Sequence, residues 1–145
     1  MITDLSTYFL PEQNIFLHEI NYSRIEEVQQ YVREERLLNC SDHIEVRISG
    51  DEMVRIIVTR ELFFDPQELF RLSVSFGADL KLDLKKNGEY KWNEINLAEE
   101  FKENGDFVTG NLMARITLMI AQITSAYGQQ PIILQPEIAG RSDIQ

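Results

Sequence analysis

Two histidines, one cysteine and one pair of carboxylates are the residues whose types could carry chemistry. His18 and His43 stand 25 residues apart, with neither helical spacing nor a cysteine-rich context. Neither has the neighbour that a metal site or a general base requires, and a strand or surface histidine is the plainer reading. Cys40 is the single cysteine, so it forms no internal disulfide and no cysteine-based metal site. Without a fitting histidine arrangement it reads as a plain thiol, not a nucleophile. Asp79 and Asp83 project with Lys81 from one face of one strand. Two carboxylates doing acid–base work need shielding that separates their pKa values, and a solvated strand face flanked by lysines is the opposite environment. The sequence holds no G-x-S-x-G, no P-loop, no G-x-G-x-x-G and no paired-histidine zinc motif. The expectation is a non-catalytic chain with no metal and no cofactor.

Composition narrows the class. The 145 residues suit a single domain, and 43% apolar with 10% aromatic is ordinary for a globular chain. No apolar run approaches the ~18–20 residues that cross a bilayer, so no membrane insertion is expected. The opening Met1-Ile2-Thr3-Asp4-Leu5 has no basic cluster before an apolar stretch, which argues against a secretory signal. With one cysteine, this favours a reducing, cytoplasmic setting. The 24 acids against 14 bases leave a net charge of −10, which repels phosphate backbones and argues against nucleic-acid binding. An acidic surface suits solubility first, and a basic partner second.

The elements that would position any site are legible to different degrees. Asn14–Tyr22 reads as a strand, with Phe16, Ile20 and Tyr22 on one face with His18. Ser23 with Glu26 is a capping-box pattern, and Ile25, Val28 and Val32 fall at helical spacing, which predicts a short amphipathic helix over 24–35. Ile44, Val46 and Ile48 alternate with polar residues as a half-buried strand before a Gly50-Asp51 turn. Val54, Ile56 and Val58 follow, and Leu62 and Phe64 resume the same parity after Arg60. Asp65-Pro66-Gln67-Glu68 is a turn. Phe70, Leu72, Val74, Phe76, Ala78, Leu80, Leu82 and Leu84 are then apolar at every second position, a strand with one buried and one wet face. It would span roughly 45–50 Å, so a bend or bulge is expected near Gly77. A turn at 86–89 and a helical or irregular connection over 93–101 lead to a polar stretch ending at Gly105.

Asn111–Tyr127 predicts a helix closed by Gly128. Leu112, Ile116, Ile120, Ile123 and Tyr127 form one stripe, while Met113, Leu118 and Met119 widen it beyond a single face. A helix apolar nearly all round is buried on most sides. One sheet covers one side, and little chain remains to cover the other. A second subunit is the economical answer, which makes Met113, Leu118, Met119 and Gln122 the expected oligomer interface. Pro131-Ile132-Ile133-Leu134-Gln135-Pro136 reads as extended. The architecture expected is α+β: a four-stranded antiparallel sheet with a long apolar helix packed on one face.

That order of elements resembles the SecB family of export chaperones. Two stretches carry the resemblance. One runs Ile56-Ile57-Val58-Thr59-Arg60-Glu61, then Asp65-Pro66-Gln67-Glu68-Leu69-Phe70-Arg71-Leu72-Ser73-Val74-Ser75-Phe76. The other is Ala114-Arg115-Ile116-Thr117-Leu118-Met119-Ile120-Ala121-Gln122-Ile123-Thr124-Ser125 with the proline-bounded segment after it. It covers residues 43–138, and the first forty residues depart from the usual pattern. The resemblance implies a homotetramer, a dimer of dimers with its long helices between two sheets, with no ATPase and no cofactor. It implies apolar grooves that hold unfolded preproteins for the SecA motor, whose basic tail contacts an acidic surface in the family. In some relatives the client is instead an antitoxin.

Client contacts are then expected to be apolar and distributed. The candidates are Leu37 and Leu38 before the second strand, Phe63 and Phe64 before the Pro66 turn, Trp92, and Ile133 and Leu134. Packing in the core is the competing role for each. A general holdase and an adaptor dedicated to one partner both fit this sequence.

Overall fold

Alternation that strict in residues 70–84 demands a sheet with one covered face, and that is the frame of the molecule. The structure is a computed structural model that describes residues 4–25, 38–50, 52–64, 69–83, 85, 92–126 and 130–138. Four strands, β1 (Phe9–Arg24), β2 (Leu38–Ser49), β3 (Met53–Phe64) and β4 (Phe70–Leu82), form an antiparallel sheet in the order β1-β4-β3-β2. Two helices follow, α1 (Leu97–Asn104) and α2 (Asp106–Ala126). The α+β architecture is the one expected.

Register decides which residues share a face. Val54 pairs with Leu80, Ile56 with Ala78, Val58 with Phe76 and Leu62 with Leu72. All of them are buried, because α2 packs on β4 and β3 from that side. The opposite face is polar and is stitched by cross-strand pairs. Arg55 donates to Asp79 at 2.7 and 3.0 Å, the Thr59 and Ser75 hydroxyls meet at 2.7 Å, and Arg71 donates to Glu61.

The irregularity expected near Gly77 falls on the neighbouring strand. Leu17 pairs with Phe76 and Glu19 with Ser75, so His18 is an extra residue, a bulge in β1. The Phe16 ring lies on Gly77, where any side chain would collide with it. Glycine is what allows that approach. The Arg55 guanidinium lies over the same ring, 5.0 Å from its centroid. The bulge also corrects the face expected for β1. Phe16 lies on the polar face opposite Gly77, whereas Ile20 and Tyr22 pair with Val74 and Leu72 on the helix-bearing face.

Other boundaries also moved. β1 is longer than expected, and β2 begins at Leu38, so Leu38 is inside the second strand, opposite Phe64. Arg24 belongs to β1 and the Ile25 N–H donates to the Leu69 carbonyl at 2.9 Å, so no helix starts there. The rest of the predicted helix, over 26–35, lies outside the described residues, as do Leu37, Leu84, Tyr127 and Gly128. The helix predicted over 111–127 begins earlier, at Asp106, directly after α1 and Gly105. The side chain of Asn96 caps α1 by accepting from the Glu99 N–H at 3.3 Å.

Met113 is buried within the one chain, which corrects its assignment to an oligomer interface. At 100° per residue it shares a stripe with Thr109, Ile116, Ile120 and Thr124, all of them buried. Trp92 is likewise core. Its ring meets those of Tyr8 and Phe9 at 5.5 and 6.1 Å, in an aromatic end of the core that Phe101 and Phe107 complete.

Candidate functional site

An edge strand on a covered face should be apolar only as far as something covers it. Leu17, Ile20 and Tyr22 break that rule. The register puts them on the helix-bearing face, opposite Phe76, Val74 and Leu72. Yet they remain 48%, 41% and 40% exposed. α2 lies over β4 and β3 and leaves this margin of the sheet open. Tyr22 stacks on Phe70 at 5.9 Å, and Phe70 meets Phe64 edge-on at 5.5 Å. The exposed strip therefore continues into the core. β1 pairs with β4 on one side only, so its outer backbone edge faces no strand among the described residues.

The expected contact residues do not converge on one groove. Phe64 is buried, and the core claims it as the floor beneath Phe70. Phe63, its neighbour in the strand, faces the other way, where the Arg71 guanidinium sits 5.8 Å above its ring. Leu38 is half-buried against the core. Ile133 is 76% exposed, and Leu134 packs partly on the core. On the outer side of α2, Leu118 is 60% exposed, Gln122 is exposed and Met119 is half-buried. Sequence reasoning missed Leu17, Ile20 and Tyr22 as a set. The one available signal was the change of apolar parity across His18, from odd positions to even.

The charged centre of the apolar face is Arg60. Its Nε and Nη2 donate to the two Asp42 carboxylate oxygens at 2.7 and 2.8 Å. The other donors reach along the chain, Nη1 to the Gln135 carbonyl at 2.8 Å and Nη2 to the Glu137 carbonyl at 2.7 Å. Both side chains are buried. Burial alone would lower the Arg60 pKa, but the Asp42 carboxylate outweighs it and holds the guanidinium above its ordinary value. The Ile132 N–H donates to the Thr124 hydroxyl of α2 at 2.8 Å. Residues 130–138 are thus laid along α2 and over Arg60 by backbone contacts.

Around this centre the thiol is quiet. Burial, then the nearby Asp42 carboxylate, push the Cys40 pKa up, away from the reactive thiolate. Asp79 is engaged by Arg55, whose hydrogen bonds hold its carboxyl below the usual range. Among the described residues no cluster of three histidine, cysteine or carboxylate side chains is placed to hold a metal. No described helix is long and apolar enough to cross a membrane.

No protein-family model matches the chain, and no curated protein does. Solved structures do. The SecB-like chaperone Rv1957 of Mycobacterium tuberculosis, in complex with a ChAD peptide from the Rv1956 HigA1 antitoxin, superposes with a TM-score of 0.61 at 12% identity, covering 90% of this chain and 88% of that one. A protein of unknown function from Streptococcus agalactiae gives a TM-score of 0.41 at 10% identity, covering 86% and 97%. The first of these matches shows the fold: this chain is built as a SecB-like protein is.

Proposed function

We propose that this SecB-like chain is an ATP-independent holdase chaperone. It binds extended apolar stretches of unfolded polypeptides along the open margin of its sheet. The observation that carries the reading is the strip of Leu17, Ile20 and Tyr22, apolar and exposed on the covered face of an edge strand. An extended client laid against that edge gains main-chain hydrogen bonds, while alternate side chains enter the strip. Such contacts ask for apolar character and little sequence, which suits a holdase and needs no catalytic group. The likeness to a SecB-like chaperone solved with a bound peptide supports the same reading.

The setting is a cytoplasmic homo-oligomer, a tetramer first, with Leu118, Met119 and Gln122 covered between copies. In an export role, the clients are preproteins passed on to SecA. A second reading is a chaperone dedicated to one partner, an antitoxin, and it is favoured by the antitoxin peptide bound to the structural neighbour. Aggregation of several unrelated unfolded proteins, followed by light scattering, separates the two. Broad protection that is lost in Leu17→Asp and Ile20→Asp supports the holdase. Protection of none of them, with tight binding to a single antitoxin, supports the dedicated role. Broad protection that is unchanged in both variants removes the strip from the account.

A further inference from the structure

We infer that Leu69 is a contact residue of the open margin, a leucine in a strained backbone conformation whose side chain continues the strip of Leu17, Ile20 and Tyr22 past the end of β1. The inference rests on the holdase reading and adds to it a residue that the register of β1 does not reveal.

Three observations carry it. The first is strain. Leu69 has a φ of 63°, in the left-handed region where a Cβ crowds the carbonyl that follows it. Glycine sits there freely, and asparagine or aspartate at small cost. Among the described residues the other non-glycine at positive φ is Asp4, which is of the tolerated kind. The chain also contains the unstrained solution. Between β2 and β3 a φ of 65° falls on Gly50, where an added Cβ would meet nothing within 4 Å, so glycine serves the backbone alone. Just before β4 nearly the same φ falls on leucine. The second observation is incomplete packing. Phe70, the next residue, is buried, but Leu69 is only half-buried against the core. A leucine that offsets its strain through the core would be sealed there, and this one keeps part of its surface in solvent. The third is place. The Leu69 carbonyl accepts the Ile25 N–H at 2.9 Å, one step beyond the last pair of β1 with β4, Arg24 with Phe70. Phe70 carries the stacked Tyr22 ring. Leu69 and the half-buried Ile25 therefore stand at the Tyr22 end of the strip. A strained, half-open leucine beside exposed apolar surface is accounted for by the client it meets there.

The test uses Leu69→Gly and Leu69→Asn, which both suit the left-handed conformation and both remove the apolar side chain. Urea unfolding reads stability. Fluorescence anisotropy of a labelled, reduced and carboxymethylated unfolded protein reads client affinity, with Leu17→Asp measured alongside. A contact role gives a variant that is no less stable yet binds less well. At least one of the two should reach or exceed the parent's urea midpoint. Both should bind the client about fivefold more weakly, the loss of the half of a leucine's burial that a client would supply. If neither variant reaches the parent's midpoint, the leucine serves packing and the assignment is overturned, whatever the binding. Unchanged affinity in either variant also overturns it, and the holdase reading still stands if Leu17→Asp weakens binding. A parent that binds no client fails the holdase reading itself and takes this inference with it.

Discussion

Replacing Arg60 by methionine should cost far more than a surface arginine does. The guanidinium and its Asp42 partner are both buried, and four short N–H···O bonds leave from the one side chain. Methionine keeps much of the volume, so little cavity forms. What is lost is the counter-charge to a buried carboxylate, which costs about 3–5 kcal/mol when one partner of such a pair is removed. A domain's whole stability is about 5–15 kcal/mol, so the variant should fold but unfold at clearly lower urea. The decisive measurement is the cycle with Asp42→Leu. Removing both charges leaves no orphan, and a buried pair exchanged for apolar residues is often neutral or better. The double variant should recover at least about 2 kcal/mol over Arg60→Met alone. It should not recover everything, because the Gln135 and Glu137 carbonyls lose their donor, at about 1 kcal/mol for each bond. Single substitutions that cost under about 1 kcal/mol each, or costs that simply add, would refute the reasoning, since surface pairs behave that way.

Gly77→Ala should destabilise by about 1–3 kcal/mol through overpacking against the Phe16 ring, and the cost should shrink in a Phe16→Ala background, checked by urea unfolding of both pairs. Asp79 has its carboxyl held below the ordinary 3.8 by Arg55. Folding thus favours its ionised form, so its contribution is full above that value and declines as pH falls through the lower folded pKa. Stability curves between pH 6 and pH 2 should show an acid limb that is flatter in Asp79→Asn. Leu118→Asp sits at an exposed site of the single chain, so it should leave protomer stability within about 0.5 kcal/mol while lowering the oligomeric order seen by light scattering. With −10 on each chain, association of the parent should strengthen with salt, and a parent that stays monomeric at micromolar concentration at low and moderate salt sinks the interface.

What could be read in advance follows from how far apart the interacting residues lie in sequence. The β4 alternation was plain because every even residue from Phe70 to Leu82 meets the same covered face. The long helix and the extended segment after it were plain for a similar reason, since their signals are local. Arg60 was visible only as a gap in an apolar parity. Its meaning needs Asp42, which faces it across β2, and the Gln135 and Glu137 carbonyls some 75 and 77 positions along. Met113 was misassigned because the buried stripe it belongs to is completed by Thr109 and Thr124, polar residues that a search for apolar spacing passes over. The contact candidates were chosen for lying near turns. Phe64 and Trp92 instead ended in the core, Phe64 because it keeps the parity of Leu62 on the covered face, and Trp92 because its ring packs on Tyr8 and Phe9, far away in sequence.

The His18 bulge makes β1 behave like a reading frame. Before it, odd residues such as Gln13, Ile15 and Leu17 face the helix. After it, even residues such as Ile20 and Tyr22 do. One extra residue acts as a frameshift in space, and it brings Leu17 into line with Ile20 and Tyr22 while sending Phe16 to Gly77. Deleting His18 would remove the extra residue itself, so Leu17 would still meet Phe76 and Glu19 would still meet Ser75, and both halves would keep their faces. A regular ladder that kept His18 would instead force a choice. If the downstream half held its register, Phe16 would turn to the helix side and Leu17 to the polar one, leaving Gly77 bare. If the upstream half held it, Ile20 and Tyr22 would be carried to the polar face and the open margin would lose most of its apolar surface. The bulge is therefore what lets both ends of the strand keep their faces at once.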